Sequence, residues 1–526
     1  MQHRSVTMSH NADAIVYELH VEFESMLSYV KDSQTATADQ VERGLFRRLL
    51  SLGARLMLLF FALRTGAAAR SEHRLANGET LPYQAEHRRQ YFSIFGKLAF
   101  WRPYFYRQGV GGRSPLDQEL ALGADCYSDL VRDLVEYLGV GSPYAKVADC
   151  FSRILGLELS TQAISDLMAE DAGDVEAFYA QQPPPPAASE AALLVIQADG
   201  KGVPMVRATP AEPKVRLAKG DKHSRKKEAV VTGLYTIAPH PRTPAEVVTS
   251  LFHPERTPVT PAPARTGPQH KRLWATMAGK DAALARLAGQ VAPREGPHIQ
   301  QRVALTDGAE ALQDRVQQHF PTFTLVLDFI HADEKLWDVA NRLFGETAPQ
   351  RTPWVESQTL DLLSGRVPQV ITELRRLANP TAATPSQQTV LTQVANYFER
   401  NTPYMHYDQY LAQGWPIASG VIEGACRHLV KDRCELSGMR WTQGGVENLL
   451  RLRAVAENDD WVAYRRFFQQ QRHQRLYGVP WSAPDTLENQ ALTDPKPAPQ
   501  PPPAGRAFIM PTIITQRTAQ PQKRAA

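Results

Sequence analysis

Three carboxylates, Asp199, Asp307 and Glu423, stand where strands or a helix would present them at a common edge. Asp199 ends the apolar run 193–198, Asp307 follows the short run 303–306 and precedes Gly308, and Glu423 lies in SGVIEGACRHLV, which reads as a helix from about Ser419. Hard oxygen ligands of this kind hold two Mg2+ ions about 3.5–4 Å apart, one activating the attacking oxygen and the other stabilising the leaving oxygen of an in-line displacement at phosphorus. Phosphodiester chemistry is what this inventory suits. Each acid also has a plainer reading alone. Asp199-Gly200 and Asp307-Gly308 are common hairpin and turn dipeptides, and Glu423 would serve equally on a solvated helix. Asp328 also ends an apolar strand and is the rival second acid. His331, three residues on, can point to the same side. The pair either assists metal or DNA positioning, or is a helix cap with a His packed behind it.

The elements that must position these groups follow from periodicity. Residues 193–198 and 203–207 read as a hairpin turning at Asp199-Gly200-Lys201-Gly202. Residues 229–238 form a third strand, and 302–305 and 324–327 two more, with helices over 309–319 and 332–344. That order describes a mixed sheet flanked by helices. Residues 353–413 read as wholly helical.

Upstream, 12–31 and 37–64 carry apolar residues at three- and four-residue spacing, so helices pack on each other there. The aromatic-rich stretch 91–106, interleaved with Lys97 and Arg102, suits either a base- or phosphate-contacting sheet or a plain hydrophobic hairpin. Between Ser142 and Asp171, Gly156 separates two short helices, the second capped by Ser160. This is helix-turn-helix spacing, and any helical hairpin shares it. The second helix would offer Ser160, Thr161, Gln162 and Ser165 to a major groove.

At this point the chain resembles a family. Residues 306–344, TDGAEALQDRVQQHFPTFTLVLDFIHADEKLWDVANRLF, look like the second-aspartate region of insertion-sequence and Mutator-like DDE transposases: an Asp-Gly, a helix, Phe320-Pro321, a strand, then Asp328 ahead of His331. Residues 193–205, LLVIQADGKGVPM, resemble the first-aspartate region. Residues 414–441, GWPIASGVIEGACRHLVKDRCELSGMRW, resemble the third, closed by Arg451-Leu452-Arg453-Ala454. The likeness is strongest to ISKra-type bacterial transposases and spans about 92–468. It implies a ribonuclease-H-like mixed-sheet core of α/β class with an all-α insertion, metal-ligand roles for Asp199, Asp307 and Glu423, and two Mg2+ ions per site with Mn2+ able to substitute. One departure is Ala418-Ser419-Gly420, where the family commonly has Gly-Ser-Gly.

Composition sets the frame. A chain of 526 residues, 43% apolar and 22% charged, expects two or more domains. Proline marks the joints: Pro183 to Pro186 in a run, eight from Pro239 to Pro268, and nine from Pro484 on. The expected partition is a helical region 1–80, a mainly helical DNA-binding region 81–182 with the helix-turn-helix at 142–171, and a stiff linker 183–190. The core follows as 191–345 and 414–480 around an insertion 346–413, with a disordered basic tail 481–526. Four dispersed cysteines exclude a disulfide scaffold and a zinc ribbon. The longest strongly apolar stretch, 56–63, is too short for the ~20 residues of a bilayer span, so no membrane partner is expected; the few dispersed cysteines fit a reducing cytosol, and the resemblance implies a bacterial cytoplasmic protein, nucleoid-associated when bound to DNA.

The net charge of +4 hides an uneven distribution. Lys214, Arg216, Lys219, Lys222, Arg225, Lys226 and Lys227 against Asp221 give +6, the bases from Pro495 on give +5, and the remaining 47 bases against 54 acids give −7. Such basic segments can grip a polyanion, though solvated loops explain them as well. Arg433, Arg440, Arg451 and Arg453 are placed to reach DNA near Glu423, or to form a solvated face. The reading as a whole is a transposase that binds double-stranded element ends and target DNA as a homo-oligomer. The alternatives are a non-catalytic DNA-binding descendant and a ribonuclease-H-like nuclease.

Overall fold

The computed structural model describes residues 12–481 apart from 76, 207–225, 257–265, 382 and 437. The described residues up to Val479 form one compact unit. The strongly basic positions 214, 216, 219, 222 and 225 lie outside the described residues, as does all of the tail beyond 481.

The chain opens with helices α1 (Ala12–Asp32) and α2 (Ala38–Ala67). Thr37 starts α2 with a full capping box, its hydroxyl accepting from Gln40 N–H and the Gln40 side chain accepting from Thr37 N–H. Four antiparallel strands follow in order: β1 (Glu72–Arg74), β2 (Thr80–Ser93), β3 (Gly96–Arg107) and β4 (Gly111–Arg113). The aromatic stretch is thus a hairpin packed against α2. Phe61 of α2 stacks on the buried Phe100 of β3, ring centroids 4.1 Å apart.

Among the described residues α2 is the one helix long and apolar enough, by length and composition, to cross a membrane. It contains the apolar stretch 56–63 inside the helix expected over 37–64, and it packs on β3 through Leu58 and Phe61. Arg55 and Arg64 interrupt hydrophobicity but not helicity, since Arg is a good helix former, and the element runs on through both.

Helices α3 (Pro115–Glu119), α4 (Asp129–Gly139), α5 (Tyr144–Leu155), α6 (Thr161–Asp171) and α7 (Val175–Gln181) come next. Gly156, at φ +64°, ends α5 in the left-handed conformation that glycine adopts without a Cβ clash. Ser160 caps α6 by accepting from Ala163 N–H.

A five-stranded mixed sheet organises the rest. Its members are β5 (Leu193–Pro204), β6 (Lys226–Ile237), β7 (Gln269–Thr276), β8 (Gln301–Thr306) and β9 (Thr324–Leu327), in the order β7-β6-β5-β8-β9. The pairs β5–β6 and β6–β7 are antiparallel, while β5–β8 and β8–β9 are parallel. Helices α8 (Pro244–Phe252), α9 (Lys280–Val291), α10 (Glu310–His319) and α11 (Phe329–Phe344) connect or flank these strands. A helical block follows, of α12 (Arg351–Leu363), α13 (Val367–Leu377), α14 (Pro385–Asn401) and α15 (Tyr407–Ala412). The chain then returns to the sheet with α16 (Gly420–Ala425), a π-helical segment Cys426–Lys431, α17 (Asp432–Cys434), α18 (Gln443–Glu457) and α19 (Trp461–Tyr477).

Two expectations change here. The hairpin at 199–202 is absent: β5 runs unbroken through it, pairing with β6 at every position from Leu193↔Ile237 to Pro204↔Lys226. A full antiparallel ladder outweighs the turn preference of Asp-Gly, and the two glycines leave room for the Glu228 and Lys226 side chains across the strand pair. Strand β7, by contrast, is not anticipated, because its first four residues, Gln-His-Lys-Arg, are polar.

The helices before the Pro183–Pro186 run share one core with the C-terminal segment, with Val147, Ile164 and Phe178 in the same cluster as Leu450, Tyr464 and Phe468. Buried ion pairs reinforce the joint. Arg132 on α4 reaches Asp171 on α6 at 2.7 Å, and Arg465 on α19 reaches Glu136 at 2.7 Å and Asp171 at 2.5 Å.

Candidate active site

Parallel pairing places the two aspartates side by side. The register Leu193↔Gln301 through Gln197↔Leu305 has a constant offset, so Asp199 and Asp307 each stand two residues beyond the last matched pair. Side chains alternate along a strand. Leu193 and Val195 pack with Val303, Leu305 and the helical block, while Leu194, Ile196 and Ala198 pack on the other face with α9 and α10. Asp199 shares the first face.

Each carboxylate is oriented. Asp199 Oδ1 accepts from Gly200 N–H at 2.6 Å, and its Oδ2 accepts from the buried Cys426 thiol at 3.3 Å. Burial pushes the Asp199 carboxyl above its usual range, and the charge of Asp307 pushes the same way against those two donors. Asp307 Oδ1 accepts from Ala309 N–H at 3.0 Å. The helical block clamps the turn after it: Tyr397 Oη donates to Asp307 O at 3.1 Å, and Arg400 donates to Gly308 O. Gly308 has φ +87°, and a Cβ there would meet Leu327 and the Tyr397 hydroxyl within 3 Å.

Glu423 arrives on the short α16, which lies against β5 and β6. Two buried groups hold that helix. Gln197 Oε1 accepts from Ile422 N–H at 2.9 Å, and Asp328 Oδ2 accepts from both N–H (2.9 Å) and Oγ of Ser419. Asp328 Oδ1 also caps α11 through Ile330 N–H at 2.7 Å, and Phe329 N–H donates to Ile417 O at 2.8 Å. The exposed Glu423 carboxylate lies with Asp328 and His331 in a group whose potential ligand atoms are all within 4.8 Å of one another.

Asp328 is therefore a wholly buried anchor, its two oxygens already taking three protein donors: it caps α11, as one of the two expected readings has it, and also holds Ser419 at the start of the Glu423 helix. Its neighbour His331 lies 3.6 Å away and is pushed up to about 9 by that carboxylate. A histidine whose folded value is raised stabilises the fold fully below its unfolded value of ~6.5 and loses that contribution as pH climbs through the folded value. Melting temperature is accordingly expected to fall between pH 6.5 and 9, by on the order of 1 kcal/mol in stability because water screens the ring. The His331→Asn variant should show a flatter profile; identical slopes in both proteins would refute the coupling.

The other positions expected to touch DNA divide. Ser160, Thr161 and Gln162 are exposed at the start of α6 and Ser165 is half-buried, although the Ser160 hydroxyl serves as a cap and Gln162 donates to Asp166. Lys226 and Lys227 are exposed at the start of β6, pairing with Glu435 at 2.5 Å and Gln443 at 2.9 Å. Arg440 is exposed. Arg433 is not available: it is buried between Tyr144 and Trp441 and donates to Gly139 O at 3.1 Å. Arg453 is likewise buried, donating to Leu429 O and Val140 O. Both use the guanidinium to satisfy carbonyls at the end of α4, a use that charge counting cannot foresee.

Four residues that sequence reasoning does not single out hold much of the geometry, Gln197, Cys426, Tyr397 and Arg400, beside Ser419, which it places at the start of the Glu423 helix. Only Gln197 carried a signal, as the single polar residue in the apolar run before Asp199. No family model matches the chain, and no curated protein matches it.

Proposed function

We propose that this protein is a DDE transposase of the insertion-sequence type, built on a ribonuclease-H-like core, which binds the terminal inverted repeats of its own element and cuts and joins DNA strands there. The observation that carries this reading is the register of β5 against β8, which sets Asp199 beside Asp307, with Glu423 folded back over the same strand through Gln197. The antiparallel β5–β6–β7 meander continued by parallel β8 and β9 is compatible with such a core.

The chemistry of the donor set suits hard divalent cations: Asp199, drawn upward by burial and by Asp307 beside it, and Glu423, whose carboxylate comes within reach of Asp328 and His331. When bound, two Mg2+ ions, or Mn2+ in their place, would activate the attacking oxygen and stabilise the leaving one. The protein's own part is to fix the ligands. Gly200 N–H and the Cys426 thiol orient Asp199, Ala309 N–H orients Asp307, and Asp328 holds the start of the Glu423 helix through Ser419. In the reaction, water attacks the scissile phosphorus and the bond to the 3′ oxygen breaks. The freed 3′-hydroxyl then attacks a target phosphodiester, releasing one strand end for each joined. Holding two element ends together calls for a homo-oligomer on DNA.

The test is a cleavage assay with the full-length protein on labelled duplex carrying the inverted repeats that flank its gene. Mg2+-dependent nicks at the repeat ends and joined products are expected. Binding without cleavage would favour the non-catalytic descendant, and cutting of arbitrary branched DNA without end preference would favour a nuclease. A further expectation separates the two arginines. Arg440→Ala should weaken binding modestly and reduce the slope of log affinity against log salt by about one. Arg433→Ala should instead lower the melting temperature by removing a buried donor. Equal salt slopes for Arg440→Ala and wild type would remove Arg440 from the interface.

A further inference from the structure

The α1–α2 hairpin leaves an apolar face with no partner within the described chain. Helix α2 uses one side against β3, through Leu58 and Phe61. A second side faces α1, where Arg55 pairs with Glu18 and with Glu22 (3.8 Å), and Arg48 donates to Ser25 at 3.0 Å. On the remaining side Phe46, Leu49, Leu56, Phe60 and Leu63 are all substantially exposed, Leu63 at 56%. Their spacings of three, seven, four and three residues follow the 3.5-residue period of a helix seam that packs against another helix. Helix α1 adds six more exposed apolar side chains, Tyr17 at 71% being the most open.

Three observations select the occupant. First, eleven such side chains offer on the order of 1,000 Å² of apolar surface, estimated from typical side-chain areas. That exceeds the few hundred Å² a monomer ordinarily exposes and meets the ~800 Å² per partner of a stable interface. Second, the seam has heptad spacing, which specifies a facing helix; a lipid-facing surface needs no such period. Third, the hairpin is divided in charge. Helix α1 carries five acids (Asp13, Glu18, Glu22, Glu24, Asp32) against Lys31, a net −4, and α2 five arginines (43, 47, 48, 55, 64) against Asp39 and Glu42, a net +3; leaving out the pairs made within the chain, Arg55 with Glu18 and Glu22, Arg43 with Asp39 and Arg64 with Glu119, the same signs persist at −2 and +1. A two-fold partner is self-complementary to such a surface, because it presents the basic helix to the acidic one and the reverse. An anionic membrane would repel α1.

We propose that this face is a symmetric interface with a second copy of the chain, in which two α1–α2 hairpins form a four-helix bundle. The interface does not rest on the transposase reading and forms without DNA. Sedimentation equilibrium of the full-length protein should give twice the 58.6-kDa chain mass at micromolar concentration. The Leu49→Glu/Leu56→Glu/Leu63→Glu variant should sediment as a monomer with an unchanged far-ultraviolet circular dichroism spectrum. If that variant does not fold, Leu56→Gln decides, with an expected weakening of self-association of at least tenfold. A monomeric wild-type protein overturns the proposal, including one whose face is covered by its own residues 1–11. So does a folded triple variant that dimerises as tightly as wild type, or wild-type protein that co-sediments as a monomer with phosphatidylcholine vesicles.

Discussion

Under the proposed function, single replacement of Asp199, Asp307 or Glu423 by Ala is expected to reduce Mg2+-dependent strand cleavage at the element ends by about a thousandfold or more, some 4 kcal/mol of barrier, while binding to those ends persists. The three losses should be alike, because a set of ligands acts as a unit and removing one disables the rest. Stability should separate them from a folding defect. Asp199 is a part-buried acid with Asp307 as its charged neighbour, so Asp199→Ala removes repulsion as well as a ligand and should leave the melting temperature unchanged or raised. Asp307→Ala forgoes one local bond to Ala309 N–H and should cost little. Cleavage rates and thermal melts on the same preparations check both statements. Full cleavage by any one variant would remove that acid from the catalytic set, and Asp328 would regain its candidacy were Asp307 the one dispensable.

Asp328→Ala carries the second large expectation, and it is a loss of stability. The side chain is fully buried and accepts from Ile330 N–H, Ser419 N–H and Ser419 Oγ–H. Deleting it strands three donors away from water and uncaps α11, which by the usual cost of orphaned buried groups amounts to about 3–5 kcal/mol. Asn at this position keeps one acceptor oxygen and should lose roughly half as much. Denaturant melts give both values. If Asp328→Ala were instead as stable as wild type but inactive, the residue would belong among the metal ligands.

Much of this geometry could be read in the residues alone, and the parts that could not have identifiable causes. The strands around Asp307 were legible because a short apolar run, an Asp-Gly turn, an amphipathic helix and a second apolar run follow one another locally. Strand β5 departs from its local signals at its most important point: Asp-Gly and a second glycine signal a turn, and only the β6 partner, whose approach no local pattern records, overrides that. Strand β7 hid behind four polar residues. Arg433 and Arg453 looked like surface charge because sequence gives no account of which carbonyls remain unpaired at the end of a distant helix. The two fastenings of the glutamate helix, Gln197 to Ile422 and Asp328 to Ser419, join residues 225 and 91 positions apart. Such pairings are products of topology rather than of spacing.

The order of the acids along the chain has a consequence in time. A ribosome adding ~5–20 residues per second delivers Asp199 and Asp307 early and needs roughly a further 6–23 s to pass the 116 residues to Glu423. The last acid then seats only when α16 docks on β5, beside a C-terminal segment whose core is shared with α5 to α7. Under the proposed function a nascent chain, or one truncated before Glu423, holds two aspartates and no third ligand, so such a half-made copy cannot nick the genome that encodes it.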